Sequence, residues 1–455
     1  MARRADRFRV ANPATLPPAP DGPVKPPLCL KERIRMPTDK SIGRRWIVVA
    51  LLFTATIINY VDRQMLGLLK PSLSEEFGWT ETDYADIVFA FQAAYAVFYL
   101  LFGRFIDVIG ARWGYALAFT VWNLAHIAHA AAATLVQFMV ARLFLGAGEA
   151  GNFPAGLKAV ADWFPRRERA LAVGIFNAGA NIGAIITPLI VPVIAYKWGW
   201  QAAFVITGVL SFGWLVAWLA FYRTPEQHPG VSPAELAHIR SDAAEAPGKV
   251  AWAVLLRRRE TWAYALAKFL TDPVWWLFLF WLPDFLHRSY GLDLKGFGPP
   301  LVAIYILSDV GSVAGGWFSS RLMRGGMGVN GARKLAMLAC AACVLPVIFA
   351  TSAESLWLAV LILGLATAGH QGFSANLLTL PSDLFPRAAV ASVVGIGGMA
   401  GAVGGMLMSK FTGWVLDTSG SYTPILLVAA GAYPLALLAV HILSPRLKQA
   451  AVGNG

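Results

Sequence analysis

The chain has 455 residues, of which 57% are hydrophobic and 14% charged, with a mean hydropathy of +0.57. Soluble domains carry about a quarter charged residues, so this composition excludes a soluble domain and describes an integral membrane protein. The formal charge of +12 is spread over short segments rather than gathered on one patch, which excludes a nucleic-acid-binding surface.

Residues 1–43 are rich in Arg, Pro and Lys and lack the apolar core of a secretory signal, so they read as a disordered cytoplasmic tail. Met36, followed by Pro-Thr-Asp-Lys, is an alternative start. Apolar runs of about 20 residues, enough to cross roughly 30 Å of hydrocarbon, then recur to the end of the chain. They predict twelve spans at 45–69, 81–107, 113–132, 135–158, 169–195, 200–222, 260–287, 297–321, 334–352, 355–379, 389–413 and 421–444. A bilayer demands that backbone groups be satisfied internally, which makes long apolar runs helices. The short alternating strands of a β-barrel are not the pattern seen. The expected fold class is thus an all-α membrane protein.

A polar segment at 223–259, with Pro225, Pro229, Pro233 and Pro247 among Glu226, Glu235, Asp242 and Glu245, divides the spans six and six. It reads as a cytoplasmic linker carrying a short helix from Pro233 to Ser241. The flanking parts, 44–222 and 260–445, repeat each other, and 446–455 is a cytoplasmic tail. Asp162-Trp-Phe-Pro-Arg166 recurs as Asp383-Leu-Phe-Pro-Arg387, and the same spacing of 221 residues matches Gly148 with Gly369, Gly151 with Gly372, and Gly183 with Gly404. Repetition of a six-span unit is the architecture of transporters whose site lies at the midplane between two halves. The glycines let helices approach closely.

Arg44, Arg45, Arg104, Arg112, Arg166, Arg167, Arg169, Arg257 to Arg259, Arg333, Lys334 and Arg387 all fall on one side of this layout, while Glu75, Glu76, Glu81, Asp83 and Asp417 fall on the other. By the positive-inside rule both termini are cytoplasmic, in an inner or plasma membrane. Cys29, Cys340 and Cys343 give no disulfide framework, and the pair in the ninth span reads as helix packing rather than a redox site. No metal-ligand cluster or cofactor motif is expected.

Between the second and third spans, Gly103-Arg-Phe-Ile-Asp107-Val-Ile-Gly110-Ala-Arg112 resembles the Gly-x-x-x-Asp-Arg-x-Gly-Arg signature of the major facilitator superfamily. The resemblance implies the major facilitator fold, twelve transmembrane helices in two six-helix halves. It also implies a cytoplasmic latch in which Asp107 bonds a neighbouring helix end, although Val108 stands where the signature has Arg.

Charged residues inside spans are functional candidates, because charge in a bilayer is costly unless paired or wetted. They are Asp62 and Arg63 in the first span, Arg142 and Glu149 in the fourth, Lys268 and Asp272 in the seventh and Asp309 in the eighth. Arg142 and Glu149 are seven residues apart, about two turns, and so share a helix face. A carboxyl in a low-dielectric cavity that gains or loses an arginine partner changes protonation, which is the physical requirement for proton symport. Asp62 and Glu149 are expected to load protons. Arg63 and Arg142 pair with them or meet a substrate carboxylate, which guanidinium matches bidentately. The alternative for each pair is that it only holds helices together.

Lys268 and Asp272, spaced i, i+4 on one face, and Asp309 are read as gating or structural groups, with a direct role as the alternative. Tyr95, Asn177, Asn181, His370, Gln371 and Asn376 could hydrogen-bond substrate hydroxyls, and His370 is the repeat-mate of Glu149. Trp275, Trp276 and Trp281 offer rings for sugar stacking or for packing.

With Tyr60-Val-Asp62-Arg63 in the first span and Arg142 followed by Glu149 in the fourth, the chain resembles the anion:cation symporter family and its hexuronate transporter branch in particular. Val173-Gly-Ile-Phe-Asn177, Lys268-Phe-Leu-Thr-Asp272-Pro-Val-Trp275 and Gly369-His370-Gln371 extend the likeness from about residue 45 to 445. It implies a monomer in the bilayer that takes up sugar acids, glucuronate or galacturonate, with protons, Asp62 and Glu149 coupling and Arg63 and Arg142 coupling or binding. Aldonates, aldarates, dicarboxylates and aromatic acids are alternative substrates. A membrane-embedded enzyme or sensor is disfavoured, since linker and tails hold no nucleophile–base set, metal site or phosphate loop.

Overall fold

The computed structural model describes residues 43–241 and 252–447. The expected tail up to Ile42, with Cys29 and Met36, lies outside the described residues, as do 242–251 of the linker and 448–455.

Among the described residues all regular structure is helical. The first set comprises α1 Arg44–Phe77, α2 Glu81–Ala128, α3 Leu135–Glu149, α4 Asn152–Trp163, α5 Arg166–Trp198 and α6 Trp200–Phe221. Two short helices follow, α7 Pro233–Ile239 and α8 Trp252–Leu256. The second set comprises α9 Arg259–Tyr290, α10 Gly298–Arg324, α11 Val329–Val344, α12 Leu356–Leu377, α13 Leu380–Leu384, α14 Arg387–Ser419 and α15 Thr423–Leu443.

Ten stretches are long and apolar enough to cross a membrane. The predicted spans at 113–132 and 135–158 are not among them, for local reasons. The second and third predicted spans run together in α2, which bends at Gly110 (φ 79°, ψ 162°), a backbone conformation open to glycine because it has no Cβ. The fourth is divided at Ala150-Gly151 into α3 and α4, directly after Glu149. α1 also runs two turns beyond the predicted end at 69. Lys70 looked like a boundary, but it is 1% exposed, its charge met by acids from other helices.

Within the first set α1 packs on α5 and α2 on α3; within the second α9 packs on α14 and α10 on α12. The sets meet along α1 with α9, α2 with α14 and α5 with α10. The 221-residue repeat is visible at the crossings. A Cβ on Gly148 would lie 2.5 Å from the Trp122 amide nitrogen of α2, and one on its mate Gly369 would lie 2.6 Å from the Cys340 carbonyl of α11. Gly183 likewise faces the Ile57 carbonyl of α1, and its mate Gly404 the Phe269 carbonyl of α9.

Backbone on the far side of such a crossing cannot step aside cheaply. Gly148→Ala is therefore expected to cost about 1–3 kcal/mol by overpacking and to lower the melting temperature of the purified protein, whereas Gly174→Ala, with nothing within 4 Å of the new methyl, leaves it unchanged or slightly raised. Equal melting temperatures for the two variants would contradict the close crossing.

Candidate functional site

Consecutive helix residues point about 100° apart, so Asp62 and Arg63 of α1 address different neighbours. Arg63 turns to α3, where its Nε donates to Glu149 Oε2 at 2.8 Å, while its Nη2 donates to Asn59 Oδ1 at 3.1 Å. Its guanidinium lies 4.8, 5.1 and 5.3 Å from the ring centres of Tyr60, Tyr95 and Trp276, with Phe91 completing the enclosure. Such faces attract a cation and exclude water from the ion pair. Trp276 belongs to α9, so both helix sets build the cage. Arg63 is 3% exposed and Glu149 fully buried.

Arg142, two turns before Glu149, donates from Nη1 to the Arg63 carbonyl at 3.2 Å. Its Nε and Nη2 are buried without hydrogen-bond partners. Asp62 does not pair with Arg63, contrary to what their adjacency suggested. Its Oδ1 lies 3.4 Å from Nε2 of His126 on α2, on the other side of the helix.

In the second set, six residues beyond Phe269 on α9, as Arg63 is beyond Ile57 on α1, stands Trp275. Trp275 stacks on His370 with centres 5.3 Å apart and planes at 8°, and His370 Nδ1 is 2.6 Å from the Tyr433 hydroxyl. The first set's ion pair thus has an aromatic pair, Trp275 on His370, as its counterpart across the repeat. Lys268 and Asp272 are paired at 2.6 Å and half-buried. Asp309 of α10 lies beside Asn181 of α5. Tyr95 and Gln371 are half-buried and Asn177 is exposed.

The remaining expected residues are engaged elsewhere. Asn376 is buried, its amide donating to the carbonyls of Gly315 at 3.1 Å and Gly372 at 2.9 Å, which commits it to helix packing. Arg112 donates to the Leu219 carbonyl at 2.7 Å and accepts at its own carbonyl from the Trp218 indole, tying the Gly110 bend to α6. Gly103 faces open space. The side chain of Asp107 lies outside the described residues. Cys340 and Cys343 are free thiols packed around Gly369 and Gly372.

A second charge cluster, with Lys70, Glu81 and Asp284 buried and Arg288 and Asp417 exposed at its edge, escaped the sequence reading. Lys70, two turns before the end of α1, donates to Glu81 Oε2 at 2.5 Å and also bonds Asp284 of α9. Arg288 donates to Asp284 Oδ2 at 2.8 Å and bonds Glu81, and the Tyr422 hydroxyl donates to Asp284 at 2.6 Å. Asp417 of α14 accepts from the backbone amides of Glu81 and Thr82 at 2.9 and 2.8 Å, an anion on the N-terminus of α2. The cations Lys70 and Arg288 balance Glu81 and Asp284, Asp417 is answered by the helix N-terminus, and every link crosses between the helix sets or braces one that does. Asp284 and Arg288 carried the i, i+4 signature of an ion pair within α9, yet lay at a predicted span end where charge is unremarkable.

Two repeated helix sets enclosing buried acid–base groups form the architecture of a membrane transporter. The chain belongs to the Major Facilitator Superfamily, whose family model matches residues 52–409. It is 34% identical over 395 residues to the hexuronate transporter of Escherichia coli (strain K12), covering 85% of this chain and 91% of that one. To the galacturonate transporter of Dickeya chrysanthemi it is 35% identical over 281 residues, covering 60% and 81%. In fold it resembles an inward-facing, occupied bacterial homologue of the human lysosomal transporter Spinster, with a TM-score of 0.67 at 16% identity over 89% of this chain and 95% of that one. The protein is a transporter rather than an enzyme.

Removing one member of a buried ion pair strands the other and costs about 3–5 kcal/mol, whereas replacing both with apolar groups is often neutral. Lys70→Met and Asp284→Leu should each lower the melting temperature, and the double variant should recover part of the loss. Additive losses would show that the two residues do not act as a pair.

Proposed function

We propose that the chain imports hexuronates such as glucuronate and galacturonate together with protons, by alternating access across an inner or plasma membrane. The observation that carries this reading is the buried Arg63–Glu149 pair inside an aromatic cage shared by both helix sets. The likeness to named hexuronate and galacturonate transporters supports the choice of substrate.

In the proposed topology the chain crosses twelve times: the ten long apolar stretches, the second part of α2, and α3 with α4. Both termini are cytoplasmic, and the halves 44–222 and 260–445 rock as bodies joined by the linker at 223–259. The bonds of Lys70, Glu81, Arg288 and Asp417 then close the bundle toward the outside.

A sugar-acid carboxylate entering the cage competes with Glu149 for the Arg63 guanidinium, since guanidinium binds carboxylate bidentately. Glu149 without its cation is a bare anion in a low-dielectric site, and a proton is what neutralises it. Substrate and proton therefore bind together. Arg142 keeps its Nε–H and Nη2–H edge free, a second fork for a carboxylate. Asp62 is the second proton site. Trp275 and His370 offer a flat face to the sugar ring, with Tyr95, Asn177, Asn181 and Gln371 as hydroxyl partners. Lys268, Asp272 and Asp309 act in gating. The protein works as a monomer in the bilayer. The rings around Arg63 favour a second reading, an aromatic organic acid as substrate.

Proteoliposomes with an inward proton gradient should accumulate labelled glucuronate or galacturonate, and collapsing the gradient should abolish accumulation. Uptake of an aromatic acid in place of both would replace the hexuronate reading with the second one. Glu149→Gln should lose gradient-driven accumulation while keeping exchange of internal for external substrate. Persistent accumulation would remove Glu149 from coupling.

A further inference from the structure

We infer that His126 hands the coupling proton to Asp62 along a route through the first helix set, separate from the path of the substrate. The inference rests on the proton-symport reading and adds to it the residue that supplies the proton. Asp62 makes no bond to the Arg63–Glu149 pair, is 1% exposed, and neither of its oxygens has a hydrogen bond of ordinary geometry. Two polar groups stand beside it, the Trp122 indole and His126 Nε2, the latter 3.4 Å from Oδ1 on a fully buried ring.

Neighbouring groups set the tautomer. The Thr207 hydroxyl of α6 donates to the Ala203 carbonyl at 2.7 Å, so at 2.8 Å from His126 it accepts. Nε2 therefore carries the hydrogen and donates it to Thr207, with Asp62 Oδ1 next to it at 3.4 Å, and Nδ1 is left as a base, buried and without a partner. One turn on, His129 repeats the arrangement. Its Nδ1 is 2.8 Å from the Ala125 carbonyl, which can only accept, so the free base is Nε2, again buried and unpartnered.

Both imidazoles lie against Phe204, with ring centres 5.1 and 5.0 Å away. His129 also touches Phe138, whose ring joins those of Phe77, Trp79 and Trp200 at the end of the bundle closed by Lys70 and Asp284. The line Asp62, His126, His129 thus runs from the midplane toward the closed end. Buried polar atoms are nearly always satisfied, by protein or by internal water. Five atoms of this line require such a partner: both Asp62 oxygens, His126 Nδ1, His129 Nε2 and the Asn123 Oδ1 beside them on α2.

The charged and titratable groups facing His126 are Asp62 from α1, Arg142 from α3 and His129 on its own helix, while α6 contributes only the Thr207 hydroxyl. Asp62 is the one acid among them. In the step, a hydronium reaching Nδ1 leaves its proton there and becomes water, while the Nε2 proton moves to Asp62. Imidazole stays neutral in the other tautomer and carboxylate becomes carboxylic acid. The ring resets when a water takes the Nδ1 proton, becoming hydronium, and a hydronium gives one to Nε2, so the reset consumes no net proton and leaves Asp62 protonated. Protons then reach Asp62 from the closed end while the substrate waits for the helix sets to part.

The test uses proteoliposomes of the full chain loaded with a pH-sensitive dye, with labelled glucuronate as probe. His126→Gln keeps an N–H donor for Thr207 but cannot accept one proton while releasing another. Its gradient-driven uptake and dye response should fall about a hundredfold, the low end for loss of a positioned proton donor, with glucuronate exchange at the wild-type rate. His129→Gln should show a smaller loss of the same kind. Wild-type gradient-driven uptake in His126→Gln overturns the relay, and so does a parallel loss of exchange, which marks a structural role. Wild-type protein that exchanges glucuronate yet ignores the gradient overturns the symport reading instead, and the relay with it.

Discussion

The Arg63–Glu149 pair is the constraint on which the remaining structure depends. A guanidinium and a carboxylate held 2.8 Å apart, both out of solvent, cannot part without a replacement for each. The bundle supplies the means to keep them together: close glycine crossings that set α5 against α1 and α3 against α2, and a cage of rings that includes one from the opposite helix set. In the proposed cycle the replacements are the substrate carboxylate and a proton, which would tie the movement of one to the other.

The same physics recurs at the closed end. Lys70 and Arg288 against Glu81 and Asp284 form a neutral network whose members come from helices that must separate for the bundle to open there. Each partner has somewhere to go, because that end meets solvent and hydration can replace the lost bonds. α1 links the two clusters, since Lys70 lies seven residues beyond Arg63, about two turns along one helix. A shift of α1 is felt at both.

The helices, the repeat and the four charged residues of the first set were legible in the sequence, because apolar run length, a recurring Asp-x-Phe-Pro-Arg and charge inside a span are local signals. Which acid met which base was not. Asp62 and Arg63 suggested a pair by adjacency, but helix geometry turns them apart, to His126 and Glu149. Lys70 looked like the end of a span because the acids that bury it lie in other helices, one of them more than two hundred residues away. Asn376 looked like a ligand for hydroxyls and is instead held by two helix carbonyls. Long-range partners decide these cases, and a single sequence does not list them.

Infrared difference spectroscopy on the purified protein, with and without glucuronate in light and heavy water, addresses the central claim most directly. The account predicts that substrate produces a carboxylic-acid carbonyl band, shifted in heavy water and missing in Glu149→Gln. Substrate binding with no such band, or with the band intact in that variant, would contradict it.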